Sequence, residues 1–439
     1  MADLFSSYQA HGISREVFDL SEEALRLSRS AMQGIDRIRE KRQLDVLAAF
    51  HEARVSESGF MAKTGYGYDD LGRQQTEAVF ARALGAQDAL VRIQFSSGTQ
   101  VLATCLKALL SPGDGLLIVT GRPYDSLIPT LGRIQHTGSP SSEFTDLESR
   151  QSLSARGVSI SQVDLLAGGA PDLEGIRQAV GPQTRMVYIQ KSRGYSDRPA
   201  LLNRDIQAIA SLVKELKQDV IVFVDHCYSE FVEEFEPTQA GADLIAGSLI
   251  KNPGSGLAPG GGYIAGRQDL IQEISQGMTA IGVGREVGPA FGMTRLLLQG
   301  LYLAPTVVAT ALKGAVLTAS LFSLAGFEVS PEPHEVRGDI VQLIRLGSPD
   351  LLQTFCGAIQ AASPIDSFVR PLAAPMPGYD CDIIMASGSF IQGSTIELSA
   401  DGPLRPPYHV FMQGGLTFEQ IRLGAMMALQ EIGKAWGDR

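Results

Sequence analysis

Val220–Phe231 reads VIVFVDHCYSEF, five apolar residues and then an aspartate. The apolar run has no polar alternation. That is the pattern of a strand covered on both faces, as in a parallel sheet. GLLIVTG (115–121) and RMVYIQ (185–190) have the same texture. Helical spacing marks QVLATCLKALLS (100–111) and NRDIQAIASLVKELKQ (203–218). Strands alternating with helices imply an α/β domain on a mostly parallel sheet.

Working outward, residues 14–55 carry apolar side chains at helical spacing among many charges and read as helices. The glycine-rich TGYGYDDLGR (64–73) follows, then a helix, QQTEAVFARALG, that Gly85 terminates. Past about residue 325 the texture changes. GFEVSP, DIVQLIRLG, DCDIIMASGSF and STIELSAD read as strands of a smaller α+β unit. The expected division is a helical segment at 1–60, a large α/β domain at 61–305 and a C-terminal α+β domain at 306–439.

Composition excludes several classes. The 439-residue chain carries a net charge of −11 and no long basic run, which argues against nucleic acid or an anionic membrane as partner. Cys105, Cys227, Cys356 and Cys381 are scattered without a C-x-x-C pair, so neither a zinc site nor a disulfide framework is expected. With an N-terminus, MADLFSSYQAHG, that lacks a targeting pattern, this points to the cytoplasm. The most apolar stretch, Leu296–Phe327, is divided by Lys313 and interrupted by Gln299 and Pro305. It reads as one or two buried helices, not a membrane span.

Ligands of such sheets bind beyond the carboxyl ends of the strands. After ALVRIQF (89–95) comes SSGT, Ser96–Thr99, at the start of a helix. Free backbone N–H groups there suit a phosphate, although serine and threonine are also ordinary helix caps. Tyr124 follows the next strand and is either a stacking aromatic or a packed loop residue. Asp225 ends a buried strand. It needs a partner there, and a cationic ring nitrogen or a cap would each serve. His226 reads as a satisfied polar residue rather than a metal ligand. No serine sits in a G-x-S-x-G elbow, so a catalytic triad has little support. Lys251 stands alone in SLIKNPGSGLAPGGGYIAG (248–266), as a turn lysine or as a nucleophile toward aldehydes. Together the phosphate loop, aromatic, aspartate and lysine are the parts that hold pyridoxal phosphate.

TGYGYDDLGR, SSGT, TGRPYDSL, SRGYSDRPAL, DHCYSEFVE, GADLIAGSLIKNPGSGLAPGGGYIAGR and STIELSADGPLRPPYHVFMQGGLT span residues 64 to about 418. These stretches resemble fold-type-I pyridoxal-phosphate enzymes of the cysteine/methionine metabolism group. The resemblance is closest to the methionine γ-lyase-like branch of aluminium-resistance proteins and cystathionine β-lyases. It implies a seven-stranded, mostly parallel sheet in the large domain. It also implies a carbon–sulfur lyase acting by β- or γ-elimination on a small sulfur amino acid. Another reaction on the same cofactor, such as transamination or racemisation, is the first alternative. A non-catalytic stress or binding protein that keeps the fold is the second.

The resemblance also implies roles. Lys251 joins the cofactor aldehyde as a Schiff base and shuttles the substrate α-proton. Asp225 pairs with the pyridine nitrogen. Tyr124 stacks on one ring face and assists catalysis, with Cys227 against the other face. Ser97, Gly98, Thr99 and Ser248 hold the phosphate. Tyr66 or Tyr68 reaches a phosphate across the interface of a homodimer or homotetramer. Arg405, or else Arg193, binds the substrate carboxylate. No metal site is implied. The chain departs from the wider group in having Tyr66-Gly67-Tyr68 in place of a Tyr-x-Arg pair, and Ile250 in place of threonine. It departs from the closer branch at His226, Ser255 and Gly260, where asparagine, glycine and threonine are expected.

Overall fold

The computed structural model describes residues 4–66, 70–136, 149–376, 379 and 381–437, so Tyr68 lies outside the described residues. The chain opens with α1 (Leu4–Gln9) and the long α2 (Arg15–Glu52), which Ser14 caps by accepting the Val17 N–H at 3.3 Å. The large domain then runs α3 (Leu71–Ala83), β1 (Asp88–Arg92), α4 (Gly98–Leu109), β2 (Gly115–Ile118), α5 (Ile128–Leu131), β3 (Gln135–His136) and β4 (Ser159–Gln162). It continues with α6 (Leu173–Ala179), β5 (Thr184–Gln190), α7 (Asn203–Leu216), β6 (Ile221–Asp225), β7 (Leu244–Ser248), β8 (Gly262–Gly266) and α8 (Gln268–Met278).

The strands form one sheet in the order β1-β8-β7-β6-β5-β2-β4-β3. β8 is antiparallel to both neighbours and the other pairs are parallel. Seven strands of four or more residues make the expected mostly parallel sheet, and the two-residue β3 adds an eighth at the edge. So short a strand carries no apolar run, which is why the sequence gives no sign of it.

VIVFVD is covered on both faces. Val222 and Val224 pack with α3, α7 and the first half of α9 (Thr294–Leu324), while Ile221 and Phe223 pack with α4 and α8. The register sets Asp225 beside Gln190 of β5 and Ala246 of β7. The carboxyl ends of β5, β6 and β7 therefore open at one place.

α9 is one unbroken 31-residue helix with Pro305 inside it. By length and composition it passes as a membrane span, but 72% of its apolar window is buried in the protein. Its residues Leu297–Leu312 belong to the core of the large sheet, and Leu317–Phe322 belong to the core of the C-terminal unit. The 305/306 division thus falls inside a helix that both cores share.

The C-terminal unit holds β9 (Val329–Ser330), β10 (Gln342–Arg345), α10 (Pro349–Ala361), β11 (Ile383–Ser387), β12 (Ser399–Pro403), β13 (His409–Gln413) and α11 (Phe418–Gly437). Its antiparallel sheet has the order β11-β12-β13-β10-β9. Leu398, Ala400, Val410 and Met412 face α10 and α11. Side chains alternate along a strand, so Ser399, Asp401, Phe411 and Gln413 face the other way, toward the large domain.

Candidate active site

One cavity opens at the carboxyl ends of β5, β6 and β7. Gly98, Thr99, Tyr124, Asp225, Cys227, Tyr228 and Lys251 line it. Asp225 is buried, and its carboxylate accepts the Cys227 N–H at 3.1 Å and the Tyr188 hydroxyl at 3.4 Å. Both bonds fix its orientation, and neither supplies a positive charge.

At the start of α4, Ser97 is the N-cap and accepts the Gln100 N–H at 3.1 Å. Gly98 and Thr99 in the first turn reach the cavity wall. A Cβ at Gly98 would stand 3.3 Å from Ser248 Cβ and 3.7 Å from Cys227 Sγ, so glycine lets the helix close on β7 and the β6 turn. Thr99 Oγ1 lies 2.7 Å from Ser126 Oγ.

The Tyr124 N–H donates to Gln190 Oε1 at 2.7 Å. Its hydroxyl receives a hydrogen bond from Tyr379 of the C-terminal unit. Burial pushes the Tyr124 phenol well above its ordinary pKa. Gly194, at φ 57°, lies flat against the ring, where a Cβ would stand 3.3 Å from Tyr124 Cδ2. Arg198 holds that loop by donating to the carbonyls of Gln190 at 2.7 Å and Ser192 at 2.6 Å.

Lys251 lies in the turn after β7, with Nζ 3.8 Å from the centroid of the Tyr228 ring. Burial opposes its charge, but the neighbouring Cys227, Tyr228, Asp225 and Glu230 outweigh burial and hold the ammonium above lysine's ordinary value. Burial raises the Cys227 thiol and the Tyr228 phenol, which are therefore neutral near pH 7. Neutral Cys227 is a packing surface and not a thiolate.

The departures from the closer branch, and Ile250 from the wider group, have structural accounts. Ser255 adopts left-handed φ 51°, and its hydroxyl donates to Gly300 O at 2.8 Å, tying the lysine loop to α9. A Cβ at Gly260 would meet nothing within 4 Å, so either residue fits there. Ile250 extends toward the C-terminal unit, 3.6 Å from the Cβ position of Gly393. His226 is buried, with Nε2 at 2.7 Å from Glu236 Oε2, while Glu236 Oε1 accepts from Arg42 at 2.5 Å. Burial lowers the His226 pKa despite Glu236. Burial raises Glu236, but Arg42 and His226 override it and bring the carboxyl down to about 2. Among the described residues no group of three or more metal-binding side chains occurs.

Five expected residues are not part of the cavity wall: Ser97, which caps α4, Ser248, which ends β7, and three that stand further apart. Arg405 is exposed on the connection between β12 and β13. Arg193 is fully buried, but its guanidinium donates to Ser330 at 3.2 Å in the C-terminal unit. Tyr66 is 87% exposed and pairs by backbone with Val287.

Sequence reasoning passed over Tyr188, Gln190, Tyr228 and Glu230. Gln190 and Tyr188 end β5, and only the register beside β6 brings them to Asp225. Tyr228 reaches Lys251 because its backbone is left-handed, at φ 70°. Glu230 is buried, with Oε1 accepting the Tyr263 hydroxyl at 2.9 Å and Oε2 without a hydrogen-bond partner among the described residues. Burial pushes that carboxyl up to about 8.

The mostly parallel sheet with a separate antiparallel C-terminal sheet is the architecture of fold-type-I pyridoxal-phosphate enzymes. The chain belongs to the methionine gamma-lyase family, whose model matches residues 17–433. It is similar to the structure of a carbon-sulfur lyase involved in aluminum resistance from Clostridium novyi NT, at 43% identity and TM-score 0.91, over 98% of this chain and 99% of that one. The Bacillus subtilis protein YnbB is 42% identical over 398 residues, covering 91% of this chain and 92% of YnbB. More distantly, the L-methionine gamma-lyase of Treponema denticola is 23% identical over 218 residues, covering 49% of this chain and 46% of that protein.

Proposed function

We propose that the protein is a carbon–sulfur lyase that uses pyridoxal phosphate to eliminate a thiol from a sulfur-containing amino acid in the cytoplasm. The observation that carries this reading is the convergence of Lys251, Asp225 and the first turn of α4 on one cavity. The residues fit the cofactor. Asp225 offers a buried carboxylate with no cation bonded to it among the described residues, which suits a protonated ring nitrogen. The N-terminus of twelve-residue α4, with Gly98 and Thr99 on the cavity wall, suits a phosphate. Tyr124 and Cys227 suit the two ring faces, and the Lys251 amine suits the aldehyde.

When bound, the cofactor supplies an electron sink for the pair left on the substrate α-carbon. Asp225 keeps the ring nitrogen protonated. Lys251 Nζ takes the α-proton and holds it in a site walled by Tyr228 and Tyr124, away from bulk water. Tyr124, whose oxygen already accepts from Tyr379, keeps its own proton to donate to the departing sulfur.

A homodimer or homotetramer is part of the reading. Tyr66, Met61, Ile281 and Phe291 are 87%, 71%, 91% and 68% exposed, on two segments that the Tyr66–Val287 bridge joins. Such an apolar surface supports a subunit contact.

The test is to incubate purified protein with cystathionine, methionine, cysteine and homocysteine and to follow keto-acid and thiol release. Release of both products in wild type and of neither in Lys251→Ala is expected. Keto acid without thiol would favour transamination, and neither product from any substrate would remove the lyase reading.

A further inference from the structure

The proposed chemistry leaves Lys251 free once the substrate amine has displaced it. The structure shows where a free Lys251 rests. Its Nζ lies 3.8 Å from the centroid of the Tyr228 ring, and both residues line the cavity. Among the described residues no ion pair forms at that ammonium. The contact is made by two turns, one after β6 and one after the neighbouring β7.

Backbone geometry and the C-terminal unit together place Tyr228. Its φ of 70° is left-handed, a conformation that costs energy in a residue with a bulky side chain. Its carbonyl accepts the Ile340 N–H at 3.1 Å, and its side chain packs against the cluster of Val341, Leu343 and Phe411. Strain of this kind persists where the surrounding structure fixes it, and it gathers at functional sites. Burial keeps the phenol neutral near pH 7, so the ring meets the ammonium with its quadrupole and not with a net charge.

We infer that Tyr228 is a positioning residue whose ring face holds the Lys251 ammonium between taking the substrate α-proton and giving it up. The four-carbon stem of lysine is flexible, so an ammonium without a fixed contact spreads over many positions. The ring confines it to one wall of the cavity, where the proton stays in reach of the substrate. This inference rests on the reading in which Lys251 carries the α-proton. It does not depend on a thiol leaving, so the two can fail separately.

The test follows α-proton exchange of L-alanine by proton NMR, with the holoenzyme in heavy water. Alanine has no leaving group, so the α C–H bond breaks, a C–D bond forms with a solvent deuteron, and nothing is eliminated. Tyr228→Leu is expected to slow exchange roughly 10–30-fold, the worth of one desolvated cation–π contact. Tyr228→Phe, which keeps the ring, should recover most of that loss. Tyr228→Met is the second ring-free variant should Tyr228→Leu not fold. The second readout is the pH titration of Lys251 Cε in apoprotein made with isotope-labelled lysine, its signal being the one missing from Lys251→Ala. The ring favours the charged amine, so the midpoint should fall by about one unit in Tyr228→Leu and stay in place in Tyr228→Phe. Cys227, Asp225 and Glu230 at the β6 end and Asp401 on β12 also act on that charge and are unchanged in these variants. Wild-type exchange in Tyr228→Leu, an equal loss in Tyr228→Phe, or slow exchange with an unmoved Lys251 titration would each overturn the assignment. So would a wild type that exchanges nothing, and the keto-acid and thiol assay then decides the lyase reading by itself.

Discussion

Arg42→Met separates the buried charges that tie α2 to the end of β6. Arg42 and Glu236 are 2% and 1% exposed. The guanidinium donates to Glu236 at 2.5 Å and to Ala83 O at 3.0 Å, and it lies 5.2 Å over the Phe231 ring. Methionine keeps much of the volume but none of the donors. Glu236 would then be a buried carboxylate without its guanidinium, still bonded to His226 at 2.7 Å and the Phe231 N–H at 3.1 Å. Removing one partner of a buried pair costs about 3–5 kcal/mol. The wild-type carboxyl sits at about 2, below its ordinary 4.5, so its stabilisation is present above pH 4.5 and is lost as pH falls toward 2. The deficit of Arg42→Met should therefore be full near pH 7 and shrink on acidification below 4.5. Urea unfolding followed by far-UV circular dichroism reads both quantities. Adding Glu236→Gln should recover part of the loss, because it removes the stranded charge. A deficit under about 1 kcal/mol at pH 7, or a double variant worse than Arg42→Met, would refute this reading of the network.

Three further outcomes are expected. A Cβ at Gly247 would stand 2.7 Å from both Glu230 Oε1 and Tyr263 Cε1, so Gly247→Ala should cost about 1–3 kcal/mol in thermal unfolding. Burial holds Glu230 at about 8, above its ordinary 4.5, so its contribution is full below pH 4.5 and is lost as pH rises through 8. Glu230→Gln should accordingly flatten the alkaline fall in melting temperature between pH 5 and pH 9, which a pH series of thermal melts checks. Asp225→Asn keeps the shape of the β6 end but loses its charge, and should lower kcat roughly 10–100-fold in a keto-acid assay.

Much of the fold is legible because its signals are local. VIVFVD, GLLIVTG and RMVYIQ are unbroken apolar runs, and each is a strand with both faces covered. Rules about strand ends point to Asp225, Lys251, Tyr124 and SSGT, and the structure gathers residues from all four around one cavity. What stays hidden depends on distance along the chain or on backbone geometry. Tyr228 meets Lys251 through a left-handed residue that no propensity indicates. His226 owes its environment to Arg42, on a helix far earlier in the chain. Arg405 and Arg193 show the reverse. Their charge suits a carboxylate, but packing sets one on an exposed connection and turns the other toward Ser330.

The central claim is that Lys251 is the residue that holds pyridoxal phosphate. Borohydride reduction of the purified protein followed by peptide mass spectrometry tests it most directly. The account predicts a reduced phosphopyridoxyl group on the peptide containing Lys251, and none in Lys251→Ala. Protein that carries no such group after incubation with the cofactor, or carries it on another lysine, would contradict it.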